Sequence, residues 1–364
     1  MRSNTLELPT AQGKTPFRAR RDHPLATVHG VSRSARSRAV ALAVAFAAPV
    51  VLAGCGSSVD LAKVTFSRTT IPAGEADPSG QRGAAPPDDG PLDAAFAMEK
   101  LRQVEPCALL EEKLLGTLGT PAESRPSGYS KCSNYMKDKA GKKLNITIIV
   151  GDTLIVDQSK LRTVVGGLRA NVQKLSSGST CFVRVPVQGG RNALGLSVQA
   201  GVADGDPCQP ARRVAEAVTT KIRRDPPRRE AEAGTLAGVD PCQLLDGPAR
   251  AEAIGGAGTE RRFGLYQCTY SHGGVDLRVS FDLGSDPASR NGDKVDLGGV
   301  TAFQRRSDNV YPSCELQWKH RRAAGNRSEV ARVKLENVQK LPELDVCGKA
   351  AGAARALLPK LPRP

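Results

Sequence analysis

The sequence predicts an α+β protein of two tandem modules, each an antiparallel sheet with an opening and a closing helix packed on one face and stapled by disulfides. Three observations carry this prediction. Six short blocks recur in the same order in the two halves of the chain, strand-like segments between them alternate apolar with polar residues, and eight cysteines fall at matching places in the repeat. "VEPCALL" at 104–110 answers "VDPCQLL" at 239–245, and "GYSKCSNY" at 128–135 answers "GLYQCTY" at 264–270. "LNITIIVGD" answers "VDLRVSFDLGSD", "VVGGL" answers "LGGV", and "STCFVRV" answers "PSCELQW". "GDPCQPARRVAEAV" at 205–218 answers "LDVCGKAAGAARAL" at 344–357.

The chain opens with a leader, residues 1–54, whose working part is 31–54. "RSARSR" supplies three arginines and no acid, and the sixteen residues "AVALAVAFAAPVVLAG" form an apolar run ending at Cys55. A positive region, an apolar region and a small-residue cleavage site mark a secretory signal. The run is shorter than the ~20 residues of a comfortable membrane span, and Pro49 interrupts it. Residues 1–30 are polar and irregular, so translation is expected to start near Val28 or Val31. Leu52-Ala53-Gly54-Cys55 resembles the lipobox of bacterial lipoproteins. That resemblance implies a diacylglycerol anchor on the Cys55 sulfur, hence a partner in the membrane and a place on the extracytoplasmic face of the cell membrane.

Residues 55–92 read as a lipidated tether. Five prolines and five glycines among residues 56–92, with few large apolar groups, cannot bury enough surface to fold. As a coil its reach is roughly 30–35 Å.

Module one is expected at 93–222 and module two at 236–364, joined by the charged linker 223–235, "RRDPPRREAEAGT". "VDLRVSF" puts Val275, Leu277, Val279 and Phe281 on one face, and Leu144, Ile146, Ile148 and Val150 do the same in the first copy. Ala211, Val214, Val218 and Ile222 fall along one side of a closing helix.

Nine cysteines less Cys55 leave four per module. Cys107, Cys208 and Cys242 follow Glu-Pro or Asp-Pro, and Cys347 follows Asp345-Val346. These read as helix starts, with the acid as N-cap and proline in the first turn. Cys132, Cys181, Cys268 and Cys314 begin strand-like segments. Two helix-to-strand disulfides per module follow. Of the three pairings open to four cysteines, this reasoning disfavours only the one that joins helix to helix. Between the other two we expect the sequential one: Cys107 with Cys132, Cys181 with Cys208, Cys242 with Cys268, and Cys314 with Cys347. A zinc site is disfavoured, because no two cysteines lie closer than 25 residues. No metal and no cofactor are expected.

Asp-Pro-Cys-x-Leu-Leu followed by a cysteine close to an aromatic, in a chain with a lipobox, resembles the actinobacterial lipoprotein domain of the DUF3558 type. The second repeat carries "VDPCQLL" and the close variant "QCTY"; the first departs by Glu105 in place of Asp. The resemblance implies an extracytoplasmic, lipid-anchored module and brings no agreed activity.

Composition narrows the function. From Cys55 onward the chain carries 44 basic against 35 acidic residues, a net of +9. Module one has no histidine and module two only His272 and His320, which removes a Ser-His-Asp or Cys-His mechanism repeated in both. No G-x-S-x-G, H-E-x-x-H, Walker or G-x-G-x-x-G pattern occurs, and "SDN" at 307–309 stands without its companions, so it reads as a turn. With 4% aromatics and an export signal, nucleic acid is not an expected partner. The remaining hints are two basic turns. Lys137, Lys139, Lys142 and Lys143 in "KDKAGKK", and Lys319, Arg321 and Arg322 in "KHRRAAGNR", are candidate contacts for anionic lipid or an anionic wall polymer. The first expectation is therefore a non-enzymatic envelope protein that binds or senses a ligand. The second is an envelope hydrolase or transferase with a carboxylate-based site. Glu111 and Glu112, beside Lys113, read as ordinary helix surface.

Overall fold

The computed structural model describes residues 90–364 apart from 156–159, 190–192 and 231. The expected signal, Cys55 and nearly all of the expected tether lie outside the described residues. Among the described residues no helix is long and apolar enough to cross a membrane.

Nine strands belong to the first half: β1 (Gly90–Pro91), β2 (Gly119–Thr120), β3 (Arg125–Pro126), β4 (Lys131–Asp138), β5 (Lys143–Thr153), β6 (Thr163–Val165), β7 (Leu168–Lys174), β8 (Thr180–Gly189) and β9 (Leu194–Val202). Seven belong to the second: β10 (Thr259–Arg262), β11 (Gln267–His272), β12 (Val275–Gly284), β13 (Asp293–Asp296), β14 (Thr301–Ser307), β15 (Ser313–Ala323) and β16 (Arg327–Asn337). They form two antiparallel sheets, of order β2-β4-β5-β9-β8-β7-β6 and β10-β11-β12-β16-β15-β14-β13. Counted along the chain, both paths read 1-2-3-7-6-5-4, so the third strand of each lies beside the last. Five α-helices accompany them: α1 (Met98–Arg102), α2 (Glu112–Gly116), α3 (Cys208–Arg224), α4 (Gly247–Ile254) and α5 (Val346–Leu357).

The apolar alternation decides which face is buried. Val275, Leu277, Val279 and Phe281 on β12 are all buried, as are Leu144, Ile146, Ile148 and Val150 on β5. Helix α3 lays Ala211, Val214, Val218 and Ile222, none more than 1% exposed, against β8 and β9. Each large apolar side chain so buried contributes roughly 1.5–3 kcal/mol. Helix α5 packs on β15 and β16 and also meets α4. Four disulfides join these layers: Cys107–Cys132, Cys181–Cys208, Cys242–Cys268 and Cys314–Cys347, the sequential pairs. Each strand cysteine is the second residue of its strand, on β4, β8, β11 and β15.

Four details differ from the sequence reading. Two of the three Pro-Cys segments open not as α-helices but as 3-10 turns, Cys107–Leu109 and Pro241–Gln243, whereas Cys208 begins α3 as expected. In the second half Pro248 cannot continue a helix from upstream, and Asp246 caps a new one by accepting from Ala249 N at 2.9 Å. In the first half the chain leaves helical geometry at Leu110, with φ −88° and ψ 60°. The linker also packs against the first half. Its Arg228 bridges Val104, Glu105 N donates to Pro227 O at 2.9 Å, and Arg229 N donates to Gln103 O at 2.8 Å. At the tether's end, Gly90 and Pro91 pair with Gly189 and Gln188 on β8. Finally, Lys319, Arg321 and Arg322 lie on β15 itself, because β15 and β16 pair as far as Ala323 and Arg327. The turn is only the three residues 324–326.

Candidate functional site

The sharp bends before β4 and before β11 are each made by a glycine with positive φ, Gly128 at +90° and Gly264 at +67°. Each stands four residues before its cysteine, Cys132 or Cys268. Both bends reach across to the other half. A Cβ on Gly128 would stand 3.1 Å from Asp282 Oδ1 on β12, and one on Gly264 would stand 3.2 Å from Gly151 O on β5. Gly264 N also donates to Thr153 Oγ1. Since Cys132 pairs with Ile148 and Cys268 with Val279, Gly151 and Asp282 take equivalent places in the two sheets, three residues further along. Each half thus presses its glycine bend onto one equivalent point of the other's third strand.

Two arginines fasten the exchange. Arg102, 4% exposed at the end of α1, donates from Nε to Leu265 O at 3.2 Å. Its Nη2 lies 2.9 Å from Asp240 Oδ2, a charge contact rather than an aligned hydrogen bond. Arg229 of the linker mirrors this, donating to Tyr129 O and lying 3.2 Å from Glu105 Oε2. Glu105 and Asp240 are the acids of the Pro-Cys motifs that open the two halves, and Leu265 and Tyr129 each follow a bend glycine. The acids do cap as expected, accepting from Cys107 N at 3.3 Å and Cys242 N at 3.0 Å. Their second use, as arginine anchors, was missed: the Arg229–Glu105 pair spans 124 residues, and no local spacing announces it.

Two tyrosines meet at the centre, Tyr129 and Tyr266, with ring centroids 4.8 Å apart. The Tyr266 hydroxyl lies 2.7 Å from Ala237 O and 3.2 Å from Arg102 O, and burial pushes its pKa up to about 12. Burial raises Tyr129 too, and the Glu329 carboxylate that its hydroxyl faces raises it further. Glu329, 3% exposed on β16, accepts from Thr235 Oγ1 at 2.6 Å and Leu236 N at 2.7 Å, with Arg321 Nε at 3.1 Å.

Above this seam lies a cleft of about 520 Å³ walled by both bends and both third strands. Its charged liners are Lys131, Asp152, Asp282 and Arg332. Arg332 sets two nitrogens on Asp282 Oδ2, at 3.2 and 3.3 Å, and Asp152 Oδ2 accepts from Ser197 Oγ at 2.5 Å. Phe263 and Phe281 add apolar wall. The cleft offers hydrogen-bonding groups and paired charges, and no histidine or cysteine is among its described liners.

The seven candidate surface cations lie elsewhere, and none lines the cleft. Lys137 and Lys143 face each other on β4 and β5, with Lys139 and Lys142 in the turn between. Lys142 holds Asp204 at 2.7 Å and Lys319 holds Asp286 at 2.6 Å. Arg322 is exposed. Arg321 is not an open cation, since it is shared between Glu329 and Glu232. Cys242, Glu260 and Cys268 gather ligand atoms within 4.8 Å, but both sulfurs are spent in a disulfide and give no thiolate to a metal. Glu111 holds Lys221 at 3.2 Å on the surface, as an ordinary ion pair.

Residues 50–221 match the family model DUF3558, described as a protein of unknown function. No curated protein matches the chain.

Proposed function

We propose, from the premise that residues 50–221 belong to the DUF3558 family, that the chain is a lipid-anchored envelope protein that binds a small polar ligand without transforming it. In this reading the two halves are tandem copies of one module, helices on one face of each sheet, held by exchanged bends as a single rigid body. The observation that carries it is the cleft: both halves build it with corresponding segments, and its acids are already engaged, Asp282 by Arg332 and Asp152 by Ser197. A general acid or base needs a proton path to substrate, whereas these groups are committed to holding the wall in place. Extracytoplasmic placement is supported by the lipobox at Cys55 and by four disulfides, which persist outside the reducing cytosol.

Asp152 and Asp282, carboxylates of the two halves lining one cleft, are the observation that favours the hydrolase or transferase reading. One experiment separates the two. The mature protein is purified from the envelope and analysed by native mass spectrometry beside Ser127→Phe, which fills the exposed mouth of the cleft. A bound small molecule that the variant lacks supports binding. Turnover of that molecule, lost in Asp152→Asn or Asp282→Asn, overturns the non-enzymatic reading. Metabolic labelling with a radioactive fatty acid, lost in Cys55→Ala, tests the anchor.

A further inference from the structure

In the second half the layer between α5 and the sheet does not close at one end. Leu297, Val300, Leu358 and Leu361 surround a pocket of about 530 Å³ there, with Trp318 as part of its wall. That volume falls within the ~300–1,000 Å³ of small-molecule sites. Trp318 is 1% exposed, yet its indole Nε1 is buried without a hydrogen-bond partner. Buried tryptophan N–H groups ordinarily find an acceptor, and leaving one unmet is costly. The indole N–H is thus sealed behind the pocket wall, whose apolar part is Leu297, Val300, Leu358 and Leu361.

The ionisable side chains among the remaining liners are all basic: Lys319, His320, Arg355 and Arg363. Lys319 is taken by Asp286 and His320 lies 2.8 Å from Gly234 O. Arg355 and Arg363 are exposed, and neither has a carboxylate partner among the described residues; Arg355 reaches only the carbonyl of Asp296, at 3.5 Å. Two guanidiniums thus stand beside an apolar hollow.

We propose that this pocket binds one monomer of an anionic amphiphile, a single long alkyl chain ending in a carboxylate or phosphate. The chain lies along Leu297, Val300, Leu358 and Leu361 against the Trp318 ring, and the head group meets Arg355 and Arg363. This site is separate from the cleft between the halves and does not depend on it.

Trp318 is the only tryptophan of the chain, so its emission reports on the pocket alone. The full chain carrying Cys55→Ser, which has no attached lipid to compete, is titrated with monomeric palmitate, hexadecanol, inorganic phosphate and phosphatidylglycerol vesicles. Palmitate is expected to shift the emission saturably. Arg355→Ala/Arg363→Ala should weaken that binding at least tenfold while leaving hexadecanol binding unchanged, and Arg355→Lys/Arg363→Lys should restore it to within about threefold. An unmoved emission with palmitate overturns the proposal. So does an equal response to inorganic phosphate, which would make the apolar wall irrelevant, or a response to vesicles alone, which would mean a membrane-surface contact.

Discussion

Arg102 and Asp240 form a buried ion pair that joins the two halves, Nη2 to Oδ2 at 2.9 Å, with side chains 5% and 9% exposed. Asp240 also binds Arg262 at 2.6 Å, so one carboxylate balances two guanidiniums. Removing one partner of such a group strands the others in low dielectric, typically at about 3–5 kcal/mol. Asp240→Asn should therefore lower unfolding stability by about that amount. Its counterpart Glu105, 34% exposed beside Arg229, is screened by solvent, and Glu105→Gln should cost only about 1 kcal/mol. Urea melts of the two variants decide the matter: equal losses would mean that the Arg102–Asp240 seam is not the tighter of the two.

The exchanged bends make an equally specific demand on glycine. A Cβ on Gly151, where φ is +69°, would stand 2.3 Å from Leu265 Cγ. Gly141 has a similar φ of +77° with nothing within 4 Å. Left-handed geometry costs a non-glycine residue roughly 1–2 kcal/mol, and forced overpacking adds about 1–3. Gly141→Ala should thus cost about 1 kcal/mol and Gly151→Ala about 2–5. Matching denaturation midpoints for the two would show that the seam yields freely.

Local rules reach far in this chain, and they stop where contacts become long-range. Alternation on β5 and β12, the stripe on α3 and the acids before each Pro-Cys are all written within a few residues. They place strands, helix and caps directly. Asp345 is a case in point, accepting from Gly348 N at 2.9 Å as its position suggests. The cleft is different. It arises where Gly128 meets Asp282 and Gly264 meets Gly151, pairs whose only sequence trace is the repeated glycine four residues before a cysteine. Arg321 misleads for the same reason: its neighbours Lys319 and Arg322 suggest a solvated turn, while the groups it binds, Glu329 and Glu232, come from β16 and the linker.

Three buried phenols should make the fold sensitive to alkali. Tyr266 and Tyr270 are each pushed up to about 12 chiefly by burial, and Tyr129 is raised further still. A raised folded-state pKa means that the unfolded chain, with phenols near 10, loses protons first. Stability is then intact below about pH 10 and falls between about pH 10 and 12, by up to about 1.4 kcal/mol per pH unit for each phenol. Absorbance of phenolate followed with circular dichroism should show three of the five tyrosines ionising only as the fold is lost. Reversible ionisation of all five with the far-ultraviolet signal intact would contradict this.

The disulfides close loops with separations of 25, 27, 26 and 33 residues. In the chain-entropy model each restricts the unfolded state by about 3.5 kcal/mol. Four together reach roughly 14 kcal/mol, comparable with the ~5–15 kcal/mol net stability of an ordinary domain. The reduced protein should therefore not hold its fold, whereas Cys242→Ser/Cys268→Ser alone should cost about 3–4 kcal/mol and leave a folded molecule. Thiol titration gives the independent check. Denatured but unreduced, the Cys55→Ser chain should show no free thiol, and after reduction it should show eight. Eight thiols before reduction would remove the covalent layer from the fold and, with it, the main support for an oxidising, extracytoplasmic setting.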